Sequence, residues 1–178
     1  MQAKYTIIPM LNYHKKQRYP ISEKPSPNLP NDQSINLYPS LCFFEGTQVS
    51  IGRGTDFPFQ VFGSPWLKNH PFKFTPKPNF GAKDPFLNGK ICNGEDLRNY
   101  PEIKEKLDLS FVINAYKNFD KKSQEFFLKN LWFDTLAGTD ELRKQIISGK
   151  SEEEIRNSWK QDLQNFEKIR TKYRIYQD

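Results

Sequence analysis

The sequence predicts an α+β fold, with short strands and long proline-rich loops over residues 1–101 and three or four helices packed on them over residues 102–178. Two observations predict it. All 13 prolines lie between Pro9 and Pro101, and each removes a donor and biases its predecessor towards extended backbone. After Pro101 apolar residues recur at helical spacing behind capping side chains. A length of 178 residues suits a single domain.

In the first half the best strand candidates are Lys4–Pro9 (KYTIIP), Leu41–Thr47 (LCFFEGT) and Pro58–Gly63 (PFQVFG), apolar runs bounded by Gly or Pro. Lys24–Asp32 (KPSPNLPND) reads either as a linker or as an ordered loop lining a cleft, since proline lowers the entropy cost of holding a shape. In the second half Asp108 can cap a helix carrying Leu109, Val112, Tyr116 and Phe119 on one face. Thr139, with Asp140 and Glu141, opens another through Leu142 and Ile146, and Gly149 closes it. Ser151 and Glu154 form a capping box for the longest helix. Its Ile155, Trp159, Leu163, Phe166 and Tyr173 share a face and are expected in the core.

Composition narrows the function. Aromatic residues make up 15% of the chain, with 15 Phe, 8 Tyr and 3 Trp, enough for a real core and for stacking on flat ligands. No stretch approaches the roughly 20 apolar residues of a membrane span. The N-terminal residues lack the order of a signal peptide. Cys42 and Cys92 read as two buried free thiols. His14 and His70 have no partners at ligand spacing, so no metal or cofactor site is expected. The net charge of +6 falls unevenly: residues 1–94 hold 11 Lys and Arg against 5 Asp and Glu, and the rest balance. That favours an anionic partner in the first half, without the basic blocks of a nucleic-acid surface.

The segment with most chemical promise is FEGTQVSIGRGTDFPFQVFGSPWL, Phe44–Leu67. Arg53 stands between Gly52 and Gly54, so its guanidinium fork can meet a carboxylate or phosphate while the glycines admit close approach to backbone N–H groups. The bland alternative is an arginine turn paired with a local carboxylate such as Asp56. Glu45, after an aromatic run, suits a general acid held beside apolar surface. It equally suits a structural carboxylate bonded to the Gly46-Thr47 turn or paired with Arg53. Phe59 and Trp66 offer possible faces for a sugar ring, and are at least as well suited to the core. Neither histidine accompanies a nucleophile motif.

Four strings, in order along nearly the whole chain, carry a resemblance: Pro25–Pro30 (PSPNLP), Leu37–Leu67 (LYPSLCFFEGTQVSIGRGTDFPFQVFGSPWL), Phe133–Ile146 (FDTLAGTDELRKQI) and Trp159–Tyr176 (WKQDLQNFEKIRTKYRIY). They resemble the C-terminal part of the bacterial exo-β-N-acetylmuramidase (NamZ-type) family, long known only as a domain of unknown function. The resemblance implies a glycosidase that releases N-acetylmuramic acid from the non-reducing ends of peptidoglycan fragments, in the bacterial periplasm or outside the cell. It implies a two-domain enzyme whose cleft lies between this region and a preceding Rossmann-like domain, which this sequence lacks. An exposed apolar docking patch and little or no hydrolytic rate from this chain alone are therefore expected. On that view Arg53, with Gly52, Gly54, Thr55, Asp56 and Trp66, binds the substrate, and Glu45 is the carboxyl group most suited to the cleft, with Asp56 second. Glycoside hydrolysis generally needs two such groups. The alternative is a non-catalytic glycan-binding module.

Overall fold

Asn31 starts the first regular element. Its side chain accepts from Ser34 N at 3.0 Å, and the Ser34 hydroxyl accepts from Asn31 N at 3.3 Å. This reciprocal cap satisfies two donors that a helix start leaves orphaned. Helix α1 follows over Asp32–Leu41 in the computed structural model, which describes residues 4–17, 19–101 and 106–176. It runs directly into a 3-10 turn, Cys42–Gly46, so the expected strand over Leu41–Thr47 is helical instead. Pro39 lies inside α1, close to its end, where the helix is about to tighten to 3-10 geometry. A reading that takes proline as a sign of extended chain misses such a helix.

The other two strand expectations also need correction. Lys4–Pro9 has no regular structure in its described residues. Pro58–Gly63 supplies only its end to a strand, because Phe59 adopts φ +56° and Gln60 N donates back to Phe57 O, closing a turn. Strand β1 is Val61–Ser64, and all four of its residues are buried. Two further strands, β2 (Phe72–Phe74) and β3 (Cys92–Asp96), complete an antiparallel sheet of order β1-β3-β2. β3 is the polar sequence CNGED, which has no apolar alternation to reveal it. Gly94 in β3 pairs with Gly63 on one side and Phe72 on the other. A Cβ at Gly94 would collide with the Phe62 carbonyl, so only glycine lets these strands close. Lys24–Asp32 is an ordered loop, pinned by a bridge between Ser26 and Leu29.

Aromatic rings join these elements. Phe44 stacks on Phe62 at 4.8 Å, Phe62 meets Phe111 at 5.9 Å, and Phe127 meets Phe133 edge-on at 4.8 Å. Such pairs add about 0.5–1.5 kcal/mol each beyond the area they bury. Phe59, 1% exposed, belongs to this core and offers no face to a ligand.

The second half is helical, as expected: α2 (Ser110–Asn118), α3 (Trp132–Ala137), α4 (Glu141–Ile147) and α5 (Glu152–Arg170). Asp108 Oδ1 accepts from Ser110 N at 2.9 Å, while Asp108 N donates to Ser40 Oγ at 2.9 Å, tying α1 to the start of α2. Thr139 Oγ1 accepts from Glu141 N, and Gly149 ends α4 at φ +81°. The Ser151–Glu154 capping box is present in both directions. The apolar stripe of α5 departs from expectation. Ile155 is fully buried, but Leu163 is 60% exposed, Phe166 59% and Tyr173 78%, with Trp159 half-buried.

The chain forms two compact units, Met1–Pro20 with Arg156–Asp178, and Ile21–Ile155. In the first, the Tyr13 and Tyr176 rings meet at 4.9 Å and Met10 N donates to Tyr176 Oη at 2.7 Å. Among the described residues, no helix is long and apolar enough to cross a membrane.

Candidate functional site

Phe43 and Phe44 anchor the 3-10 turn in the core, with Phe44 fully buried, and this holds Glu45 at the edge of the fold. Thr47 closes the turn by donating its hydroxyl to Phe44 O at 2.8 Å. Five and seven residues further on, Gly52 and Gly54 adopt φ +78° and +81°, a backbone region that side chains rarely enter. A Cβ on Gly52 would strike Val61, and one on Gly54 would strike the Lys77 carbonyl and Pro85. What the glycines approach is therefore the chain itself, both backbone carbonyls and side chains. Gly52 N donates to Ser50 Oγ, Thr55 N donates to Gly52 O, and the Thr55 hydroxyl donates to Gly52 O at 2.6 Å. This tightly packed turn fixes the base of Arg53.

From that base Arg53 reaches Glu45, Nη2 to Oε1 at 2.8 Å. The side chains are 43% and 25% exposed respectively, so the pair sits at a surface and its attraction is partly screened. Arg53 also passes over the Phe59 ring at 5.5 Å, which sets the guanidinium against apolar surface. Its Nε is buried and has no hydrogen-bond partner among the described residues. A guanidinium has five N–H donors, and only one contact of this one, that to Glu45, appears among its bonds to described residues.

Both side chains line an open pocket of about 360 Å³, within the range of small-molecule sites. Thr47 and Ser50 contribute to its walls, and Gly81, Asp84 and Phe86 face them from a separate loop. That loop, KPNFGAKDPF (Lys77–Phe86), was not anticipated. Its Gly and Pro punctuation and its two aromatics were the available signal, but without a partner surface they read only as a turn. Asp84, rather than Asp56, is thus the second carboxylate lining the pocket that holds Glu45.

The remaining expected site residues lie elsewhere. Thr55 and Asp56 line a second hollow on the other side of the glycine turn. Trp66 lines neither pocket, packing against Phe119 at 6.2 Å with Lys90 Nζ over its ring at 5.5 Å. Cys42 and Cys92 are free thiols, Cys92 buried as expected and Cys42 only half-buried, at the start of the 3-10 turn. Burial, and then the charge of Glu45, push the Cys42 thiol up to about 11, and burial pushes Cys92 to about 12. Neither is a thiolate nucleophile near neutral pH. His70 is held by Lys68 O and Glu95 Oε1, away from the first pocket. Among the described residues, no cluster of three His, Cys, Asp or Glu side chains could hold a metal ion.

Fold and site together define an α+β domain with an arginine and a paired glutamate lining an open pocket. The chain belongs to the family described as exo-β-N-acetylmuramidase NamZ, C-terminal, whose family model matches residues 36–176. It is 32% identical over 194 residues to the peptidoglycan β-N-acetylmuramidase NamZ of Bacillus subtilis (strain 168), covering 99% of this chain and 46% of that protein. It is 44% identical to a DUF1343 family protein of Bacteroides fragilis NCTC 9343 of known crystal structure, with a TM-score of 0.86 over 94% of this chain and 47% of the other. A second DUF1343 protein of that organism shares the fold at a TM-score of 0.60 and 16% identity. The chain spans about half the length of the relatives it matches.

Proposed function

We propose that this chain is the ligand-gripping part of a peptidoglycan exo-β-N-acetylmuramidase, which removes N-acetylmuramic acid from non-reducing ends. The observation that carries the reading is Arg53, bonded to Glu45 through Nη2 alone and lining an open pocket. N-acetylmuramic acid differs from N-acetylglucosamine by a lactyl ether, and so by a carboxylate. A guanidinium with donors left over is suited to that group in two bonds. The excess positive charge of residues 1–94 draws an anionic sugar towards the same half.

In this reading Glu45 is a positioning residue. Its carboxylate holds Nη2 through one bond and leaves Nη1 and the second Nη2 hydrogen to the lactyl group. Gly52, Gly54 and Thr55 act through the turn, by fixing the arginine's base. Hydrolysis requires an acid and a second carboxylate placed across the glycosidic bond. The domain that completes the cleft corresponds to the other half of the related proteins, and the isolated chain binds without appreciable turnover. As an enzyme of wall polymer, it works in the periplasm or outside the cell.

Calorimetric titration with N-acetylmuramic acid and with N-acetylglucosamine tests this. The 178-residue chain should prefer the acidic sugar, and Arg53→Ala should abolish the preference. Equal affinity for the two sugars, or an unchanged preference in Arg53→Ala, would overturn the assignment. Mixing with a separately produced N-terminal half of a relative should restore release of muramic acid. Tight binding that never gives turnover in that mixture would instead make this a glycan-binding module.

A further inference from the structure

The glycine turn that sends Arg53 into the first pocket turns Thr55 and Asp56 towards a second one. This hollow, of about 530 Å³, is lined among others by Lys24, Asn28, Asp56, Asn79 and Phe80. It shares one lining residue, Gly81, with the first pocket. Between them stands a tight turn, Asn79–Ala82, closed by backbone bonds in both directions. Side chains brace it: Asn79 Oδ1 accepts from Ala82 N at 2.9 Å, and Asn28 Nδ2 donates to Gly81 O at 2.8 Å. At its tip Phe80 is 92% exposed. A braced turn thus presents an aromatic ring to solvent beside an ammonium, a carboxylate and two amides. Neither Lys24 nor Asp56 is ion-paired with another described residue.

We propose that this second hollow is a saccharide subsite, holding the sugar unit joined to the one in the Arg53 pocket. A pyranose has an apolar C–H face and a rim of hydroxyl and acetamido groups. Phe80 supplies the platform for the face. Lys24 donates to the rim and Asp56 accepts from it. Charges of both signs disfavour a purely anionic occupant such as phosphate, and the exposed ring suits a sugar better than an extended peptide backbone. The inference rests on the muramic-acid reading of the first pocket.

The test compares three ligands on the full chain by calorimetry: N-acetylmuramic acid, the disaccharide N-acetylmuramyl-β-1,4-N-acetylglucosamine, and muramyl dipeptide. The disaccharide should bind about three- to tenfold tighter than the monosaccharide, the size of one aromatic contact. Phe80→Ala should remove that gain and leave the monosaccharide affinity unchanged, while Arg53→Ala weakens both. Because Phe80 is exposed, its variant should melt with the wild type. If both sugars bind but the disaccharide gains nothing, or Phe80→Ala keeps the gain, the subsite is wrong and the first pocket stands. Muramyl dipeptide, whose lactyl carboxyl is tied up in an amide, should bind more weakly than the monosaccharide; a gain for it alone assigns the hollow to peptide and overturns the saccharide. Failure of all three ligands to bind sinks both readings together.

Discussion

Gly46 packs against the backbone of Phe133 so closely that a Cβ there would overlap Phe133 N and Cα. The contact joins the 3-10 turn that carries Glu45 to helix α3, and the Phe43 and Phe133 rings meet at a tilt beside it, 5.6 Å apart. Leu128 N donates to the Gly46 carbonyl at 3.0 Å. The carboxylate of the pocket thus owes its position to a glycine that lets two elements touch.

Gly46→Ala should therefore cost about 1–3 kcal/mol of stability, the usual penalty for overpacking. Urea unfolding measures it. An undiminished midpoint would mean that α3 and the turn can separate without loss.

Glu45 variants probe the pairing with Arg53. Glu45→Gln keeps an acceptor for Nη2 and should hold the muramic-acid affinity, whereas Glu45→Ala should weaken it about fivefold, the worth of one hydrogen bond of about 1 kcal/mol. Titration of both variants decides. Equal loss in the two would show that the charge, and not the orientation, matters.

Acid should weaken the fold partly through Asp96. Arg98 donates to both its oxygens, Nη2 to Oδ2 at 2.6 Å, and these bonds hold its carboxyl below the ordinary value of 3.8. The folded-state value lies below the unfolded one, so this contribution is complete above about pH 4 and is lost as pH falls through the folded value. Asp96→Asn should lower the melting temperature at pH 7, by a margin that shrinks as pH falls below about 4. A constant difference across that range would refute the linkage.

The thiols should be slow. With Cys42 raised to about 11 and Cys92 to about 12, labelling of the native chain at pH 8 should lag a free cysteine by on the order of a hundredfold. Denaturant should restore the rate. Fast labelling of Cys42 in the native chain would show that the turn opens.

Two positions on one helix should behave differently. Ile155, fully buried, should cost about 2–5 kcal/mol as Ile155→Ala. Phe166, 59% exposed, should cost within about 0.5 kcal/mol as Phe166→Ala. Comparable losses in unfolding would mean that the stripe is covered in solution.

The helical half was legible because its signals are local. Ser151 with Glu154, Thr139 before α4 and Gly149 after it act within one or two turns of chain, and each is found doing what its position implies. α1 was not legible, because Pro39 argues for extended chain and the Asn31–Ser34 cap was hidden in a proline-rich run. β3 was not legible either. CNGED becomes a strand only because β1 and β2 flank it and Gly94 admits them. The α5 stripe was read as core from its spacing alone, but spacing fixes which residues share a face and not what covers it.

For the site, the sequence by itself determined that Arg53 sits in a glycine turn, that Glu45 follows an aromatic anchor, and which family the chain belongs to. Tertiary structure alone decided that those two side chains meet, and that Asp84 and Phe86 face them while Trp66 does not. It also decided that the glycines serve close packing, Gly52 against Val61 and Gly54 against Lys77 and Pro85. The reason is physical: a turn's conformation is set by its own few residues, whereas a pocket is the space left between segments far apart in the chain, and no local pattern encodes which segments will face one another.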